Sequence, residues 1–333
     1  MLRTLTRLFK LSALLAVLLV ATCAWYATQP LAMRQSVVDF EILPGESMKQ
    51  IARQVADAGV EVWPPALTWL ARLSGHSIHI KAGSYRLDKP ITAWELVSLM
   101  STGANAYAEV AFIEGWNFAR LRAVLKAHPD VTHDSDGLSD AEIMARLGLP
   151  DALPEGMFAP DTYSFSRGSS DLDLLRRAQQ RMQQVLQREW AVRAQGLPLK
   201  TPYEALILAS IVEKETGKAQ DRARIAGVFI NRLRIGMPLQ SDPTVIYGAG
   251  AGFDGNLRKR DLLHDTPFNS YTRAGLPPTP IAMPGPAALQ ATLNPAGGKD
   301  LYFVARGDGS SEFSRTLEEH NRAVMRFQKA GKK

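Results

Sequence analysis

The chain has a single cysteine, Cys23, and it lies inside the one long apolar run. With no second cysteine there is no internal disulfide and no thiolate metal site. Histidine is sparse as well. His76, His79, His128, His133, His264 and His320 are scattered without metal-ligand spacing, so no metal is expected. Internal repeats and low-complexity tracts are absent, which excludes solenoid and linker architectures. Recognition motifs for RNA or DNA are missing too, although 39 Lys and Arg against 33 Asp and Glu leave a formal charge of +6. Much of that excess, including Arg176, Arg177, Arg181 and Arg188, is dispersed among acids and glutamines. A nucleic-acid partner is not expected. An anionic lipid surface, a polyanionic envelope or a glycan suits the charge equally well.

What is present is enough apolar material for a core. Hydrophobic residues make up 46% of the 333 and charged residues 22%, ordinary values for globular protein and sufficient for two compact domains plus an anchor. Residues 11–27 form the apolar run, preceded by Arg3, Arg7 and Lys10 and closed by Trp25 and Tyr26. That length matches the shortest membrane-spanning helices. The basic flank then keeps residues 1–10 in the cytoplasm, and the aromatic pair suits the far interface. A cleaved signal peptide fits less well, because no small-x-small site follows the run, and Thr22 before Cys23 is a poor lipoprotein box.

Beyond a short linker, residues 36–106 read as a small α/β module. A strand spans 37–43, the turn Pro44-Gly45-Glu46-Ser47 caps a helix over 48–58, helices cover 63–73 and 92–100, and a strand at 81–87 lies between them. Trp69 and Trp94 fall at helical positions among Leu and Val and are expected in its core. From residue 107 to 333 a larger mixed domain follows. It opens with a strand over 107–113 and a helix over 118–127, continues through a polar loop or lid from His128 to Asp140, and then a long helix over 171–195.

The stretch from Thr201 to Tyr247 carries the chemistry. Thr201 and Glu204 form a capping box with Pro202 at the first helical position, and Ala205 to Val212 is almost continuously apolar, as in a buried helix. Gly217 is expected to end it in the left-handed conformation. Leu208, Ile211, Val212 and Glu215 recur at i, i+3, i+4 and i+7, so Glu215 continues the apolar stripe, while Glu213 points about 200° away. A carboxyl on such a stripe at the negative end of a helix dipole is pushed toward its neutral form, as a general acid requires. The residues alone leave open a plainer alternative, in which both acids are solvated or paired with Lys214 and Arg222. Asp221 is expected to cap a second helix to Leu233, with Gly236 as its terminator. Gln240-Ser241-Asp242-Pro243-Thr244 then reads as a polar turn.

ASIVEKET at 209–216 and VFINRLRIGMPLQSDPTVIYG at 228–248 resemble the signature block of the MltG (YceG-like) endolytic murein transglycosylases. So do EGMFAPDTY at 155–163, FNSYTRAGLPPTPIAMPG at 268–285 and LYFVARGDG at 301–309, all in family order. PGESMKQIA at 44–52 is similar to the start of a LysM-type carbohydrate module. The resemblance implies an α+β protein with an N-terminal membrane anchor, a small LysM-like module and a larger mixed catalytic domain distantly like lysozyme.

It also implies that Glu215 is the catalytic acid, with Gln240, Ser241, Asp242, Asn269 and Tyr271 gathered beside it to contact substrate. The implied activity is endolytic cleavage of the MurNAc–GlcNAc bond in nascent peptidoglycan, forming 1,6-anhydro-MurNAc and terminating strand elongation. It needs no metal or organic cofactor. Implied partners are glycan strands, the bacterial inner membrane and the cell-wall synthesis machinery, with the catalytic domain in the periplasm. Two alternatives stay open at this level: a lysozyme-type hydrolase using Asp242 or Asp161 as the second acid, and a non-catalytic membrane-tethered peptidoglycan-binding scaffold.

Overall fold

The computed structural model describes residues 21–22, 24–103 and 107–329. Residues 1–10, most of the apolar run at 11–27, and Cys23 lie outside the described residues. Among those described, no helix is long and apolar enough to cross a membrane. The architecture is α+β, with helices interspersed among small two-stranded sheets. The chain divides into one unit of Met1–Glu109 with Ser164–Ser169 and another of Val110–Tyr163 with Ser170–Lys333.

In the smaller unit, strands Val38–Ile42 and Gly83–Leu87 pair antiparallel with Phe40 opposite Tyr85. Alternation sends Val38, Phe40 and Ile42 inward, and the Phe40 and Tyr85 rings stack at 5.3 Å. On the other face Asp39 and Arg86, also directly opposite, form an ion pair of 2.8 Å. Helices Met48–Asp57, Pro64–Leu73 and Ala93–Thr102 complete the core, the first and third held by complete capping boxes at Ser47 with Gln50 and Thr92 with Glu95. Each such cap contributes about 1 kcal/mol. Trp69 and Trp94 do not join this core. They are 60% and 46% exposed, because Leu67, Ala71, Leu96 and Val97 on the same helices take the inward positions.

The larger unit is assembled around the helix Pro202–Glu215. Every residue from Ala205 to Val212 is buried, surrounded by the helices Asp171–Ala191, Ala219–Arg234 and Pro286–Leu293. Each fully buried Leu, Ile or Val there contributes roughly 1.5–3 kcal/mol. Ser210, the single polar residue in that run, is satisfied twice: its hydroxyl donates to the Ile207 carbonyl and accepts from the Ile281 N–H. The helix Ala219–Arg234 and the segment that follows Pro286–Leu293 approach closely at a glycine. A Cβ on Gly227 would stand 2.7 Å from the Ala296 carbonyl oxygen, so only glycine fits.

Two local expectations are corrected here, and a third is refined. The helix over Ala219–Arg234 begins before Asp221, whose carboxylate instead accepts from the Ser311 N–H at 2.6 Å, ninety residues on. The segment after Gln240 is not a turn but the start of a helix, Asp242–Ala249, with Pro243 in its first turn. The span read as a loop or lid is tied down: it contains the short strand Val131–Thr132, and buried Ser135 donates through N–H and Oγ to Asp171.

Candidate active site

Glu215 is the last residue of the buried helix, and the chain leaves it in an extended conformation at Thr216 with φ −149° and ψ 132°. Gly217 is therefore not a left-handed stop; its φ is not positive. Leu208, Ile211 and Val212, on the helical stripe that Glu215 continues, are fully buried, and Glu215 itself is partly buried. Burial pushes its carboxyl up to about 7, against the opposing effect of a hydrogen bond from Ser241 Oγ to Oε1 at 2.5 Å, while the Asp242 charge pushes it further up. The carboxyl opens into a cleft of about 340 Å³ that also receives Arg232, Gln240, Asp242, Tyr271 and His320.

Each neighbour is fixed by a traceable bond. Ser241 is buried; its N–H donates to Ser270 Oγ at 2.9 Å, and its carbonyl accepts from Thr244 Oγ1 at 2.7 Å. Gln240, just before it, has φ +51°, the single positive φ outside glycine among the described residues. Such a conformation costs on the order of 1–3 kcal/mol and is held by the surroundings, here by the Gln240 N–H donating to the Ser270 carbonyl. Asp242 Oδ1 accepts from the Tyr271 hydroxyl at 2.5 Å, and burial together with that carboxylate raises the phenol well above its ordinary value.

Asn269 is placed differently from the expectation. It is fully buried, its amide nitrogen donates to the carbonyls of Leu262 and His264 at 3.1 and 2.7 Å, and its Oδ1 accepts from the Tyr271 N–H at 2.9 Å. Both the nitrogen and the oxygen of that amide are engaged internally. Asn269 is therefore a support for Tyr271, not a group facing the cleft.

Three residues were missed in the sequence. Arg232 is buried at 6% exposure, lies over the Tyr302 ring, and donates to the carbonyls of Leu239 and Leu301 at 2.6 and 2.7 Å. The signal was available, since Ile225, Val228, Phe229 and Arg232 repeat the i, i+3, i+4, i+7 stripe that singled out Glu215. His320 stacks on Tyr302 at 5.2 Å, and burial with the nearby Arg232 lowers its pKa. Glu155 heads the EGMFAPDTY stretch at 155–163, but no helical or strand spacing singles it out. It is buried, accepts from the Phe118 N–H at 3.1 Å and the Tyr247 hydroxyl at 3.0 Å, and burial pushes it to about 7, yet it does not line the cleft.

Glu213 and Asp161 lie away from this cleft. Glu213 turns to the other side of the helix, where its carboxylate accepts from the Gly285 N–H at 2.9 Å at the N-terminus of Pro286–Leu293, a favourable end for a negative charge. Asp161 pairs with Arg181 at 2.6 Å and lines a separate hollow. Among the described residues, no three His, Cys, Asp or Glu side chains converge in a way that could hold a metal ion. The cleft thus offers one carboxyl poised near neutrality, a second carboxylate already engaged by a phenol, and a buried cation.

The chain is similar to known proteins. The chain is 30% identical over 321 residues to an endolytic murein transglycosylase of Bacillus subtilis, covering 88% of this chain and 85% of the relative. It is 26% identical to an endolytic murein transglycosylase of Streptococcus pneumoniae, again over 88% of this chain but 59% of that longer protein. The crystal structure of a yceG-like protein from Listeria monocytogenes superposes with a TM-score of 0.54 at 26% identity, covering 86% of this chain and 98% of the other. With the family model for the YceG-like family matching residues 40–326, the chain belongs to the YceG-like family.

Proposed function

We propose that the protein is a peptidoglycan lytic transglycosylase that cuts the MurNAc–GlcNAc bond within glycan strands, with Glu215 as its acid and then its base. The observation that carries this reading is the single carboxyl pushed to about 7 in the cleft. A group of that pKa is still protonated in much of the population at neutral pH and can donate to the leaving glycosidic oxygen as the C–O bond breaks. The resulting carboxylate then accepts the proton of the MurNAc C6 hydroxyl, whose oxygen bonds to the anomeric carbon and closes a 1,6-anhydro ring.

An attacking group supplied by the substrate itself gains from proximity and removes the need for a second free carboxylate. The engagement of Asp242 by Tyr271 agrees with that economy. Ser241 donates to Oε1, which leaves Oε2 to carry the acidic proton. Gln240, Asp242 and Tyr271 offer the amide, carboxylate and phenol for sugar contacts, beside the Arg232 charge.

The rest of the reading is proposed with it. Residues 11–27 anchor the chain in the inner membrane with residues 1–10 in the cytoplasm, the small unit is a LysM-like module, and cutting near the membrane terminates strand elongation beside the synthesis machinery. The test is mass analysis of products from purified glycan strands, wild type beside Glu215→Gln. A 1,6-anhydro terminus that disappears in the variant is expected. A hydrated reducing end would point to water as the nucleophile, and an uncut strand with folded wild type would overturn the enzymatic reading.

A further inference from the structure

The small unit carries an apolar surface that its own core does not use. Trp63, Trp69, Leu73 and Ile78 are 67%, 60%, 75% and 82% exposed, and Trp94 is nearly half exposed. Trp69 and Leu73 stand at i and i+4 on the outer face of Pro64–Leu73, and His76 meets the Trp94 ring edge-on at 5.3 Å, which links this helix and the following turn to Ala93–Thr102. Isolated exposed apolar residues are ordinary; a set of three tryptophans with two aliphatic neighbours on adjoining elements is not.

The position of the set relative to the apolar run identifies what covers it. Trp25, itself 64% exposed, and Tyr26 close the run. The Tyr26 hydroxyl accepts from the Trp63 N–H at 3.3 Å. Four residues on, Pro30 bridges to Thr92, and the Leu31 N–H donates to the Ile91 carbonyl at 2.8 Å, two and three residues from Trp94. The chain therefore leaves the run directly between the bases of Trp63 and Trp94. The Arg72 guanidinium lies over the Trp69 ring at 6.0 Å, placing a cation at the level of the exposed indole.

We infer that this face of the small unit rests on the lipid bilayer, with the indoles of Trp63, Trp69 and Trp94 at the headgroup level, Leu73 and Ile78 toward the acyl chains, and Arg72 against lipid phosphate. Tryptophan favours that zone because its ring is amphipathic, and arginine pairs with phosphate. The exposed aliphatic side chains distinguish lipid from sugar, since a pyranose face stacks on indole but gives Leu73 and Ile78 nothing to bury against. The inference rests on the proposed membrane anchor and adds a second, surface contact that fixes the height and tilt of the small unit above the membrane.

The test uses the full chain in proteoliposomes made with brominated phosphatidylcholine, which quenches indole fluorescence at the bilayer. One variant keeps Trp69 as the sole tryptophan and another keeps Trp25, with the others changed to Phe. Quenching of both is expected, with the Trp69 reporter losing roughly half its emission. A quenched Trp25 with an unquenched Trp69 overturns the surface contact and leaves the anchor standing. If neither is quenched, the anchor fails and the inference with it. An unquenched Trp69 whose emission changes on adding glycan strands makes the face a sugar platform and also overturns the inference. A second comparison avoids multiple replacements near the core: wild type against the double variant Trp69→Ser, Trp94→Ser, both at exposed positions. Bromolipid should quench the double variant less than wild type, and equal fractional quenching would count against lipid contact.

Discussion

Glu215 and Glu155 are both carried up to about 7 by burial, and they differ in what surrounds them. Glu155 sits where segments far apart in the chain meet, with its oxygens engaged by the Phe118 N–H and the Tyr247 hydroxyl. Glu215 has one hydrogen bond, from Ser241, and opens onto a cleft. A shifted carboxyl is therefore not by itself evidence of catalysis. Exposure to a space where a substrate can reach, with a lone pair or proton left over, separates the two.

The largest expected effect that tests this contrast is on turnover. Glu215→Gln should lower glycan cleavage by about 10²–10⁴, the range for loss of a general acid, while thermal unfolding stays close to wild type. Glu155→Gln should keep activity within about tenfold, since it acts only through packing. Comparable losses in both would erase the distinction.

The second effect is on stability and reverses the emphasis. A Glu whose folded pKa is raised binds its proton more tightly when folded, so as pH rises from 4.5 toward 7 the unfolded state ionises first and stability falls. Below that window Glu155 costs nothing, and above it the full cost of a buried charge remains. Urea unfolding at pH 5 and pH 8 should show Glu155→Gln gaining on wild type by about 3 kcal/mol across the interval, since stability falls by roughly 1.4 kcal/mol for each pH unit between the unfolded and folded pKa. An unchanged difference between the two pH values would mean that Glu155 is ionised throughout.

Smaller effects probe the supports. Asn269→Ala removes a buried amide that satisfies the Leu262 and His264 carbonyls, so unfolding free energy should fall by about 1–3 kcal/mol, with loss of kcat through a loosened Tyr271. A rise in KM alone, with stability intact, would instead make Asn269 a sugar contact. Ser241→Ala removes the hydrogen bond that holds the Glu215 pKa down. The alkaline limb of the pH–rate profile, expected near 7 in wild type, should therefore move upward, with a loss in kcat/KM of about tenfold. A downward move would show that the hydroxyl bonds the neutral acid.

Much of this arrangement was legible before any coordinates. Caps at Ser47 and Thr201, the strand that holds Val38, Phe40 and Ile42, and the stripe ending at Glu215 each depend on residues within a turn or two of one another. The same stripe marks Arg232. Asp242 was misread as a turn although Pro243 marks the first turn of a helix. The exposure of Trp69 and Trp94 was beyond local pattern, because a helix that is apolar on several sides does not say which side the small sheet will cover.

The sequence by itself determined the buried helix and which of two neighbouring acids continues its apolar stripe, since helical geometry turns residues two apart to different sides. Only the tertiary structure decided which groups meet. Ser241 reaches Glu215 across 26 residues, Tyr271 reaches Asp242 across 29, and Tyr247 reaches Glu155 across 92. Such contacts form when packed helices bring distant segments together, and burial then sets the protonation of the carboxyls they enclose, a quantity no local spacing contains.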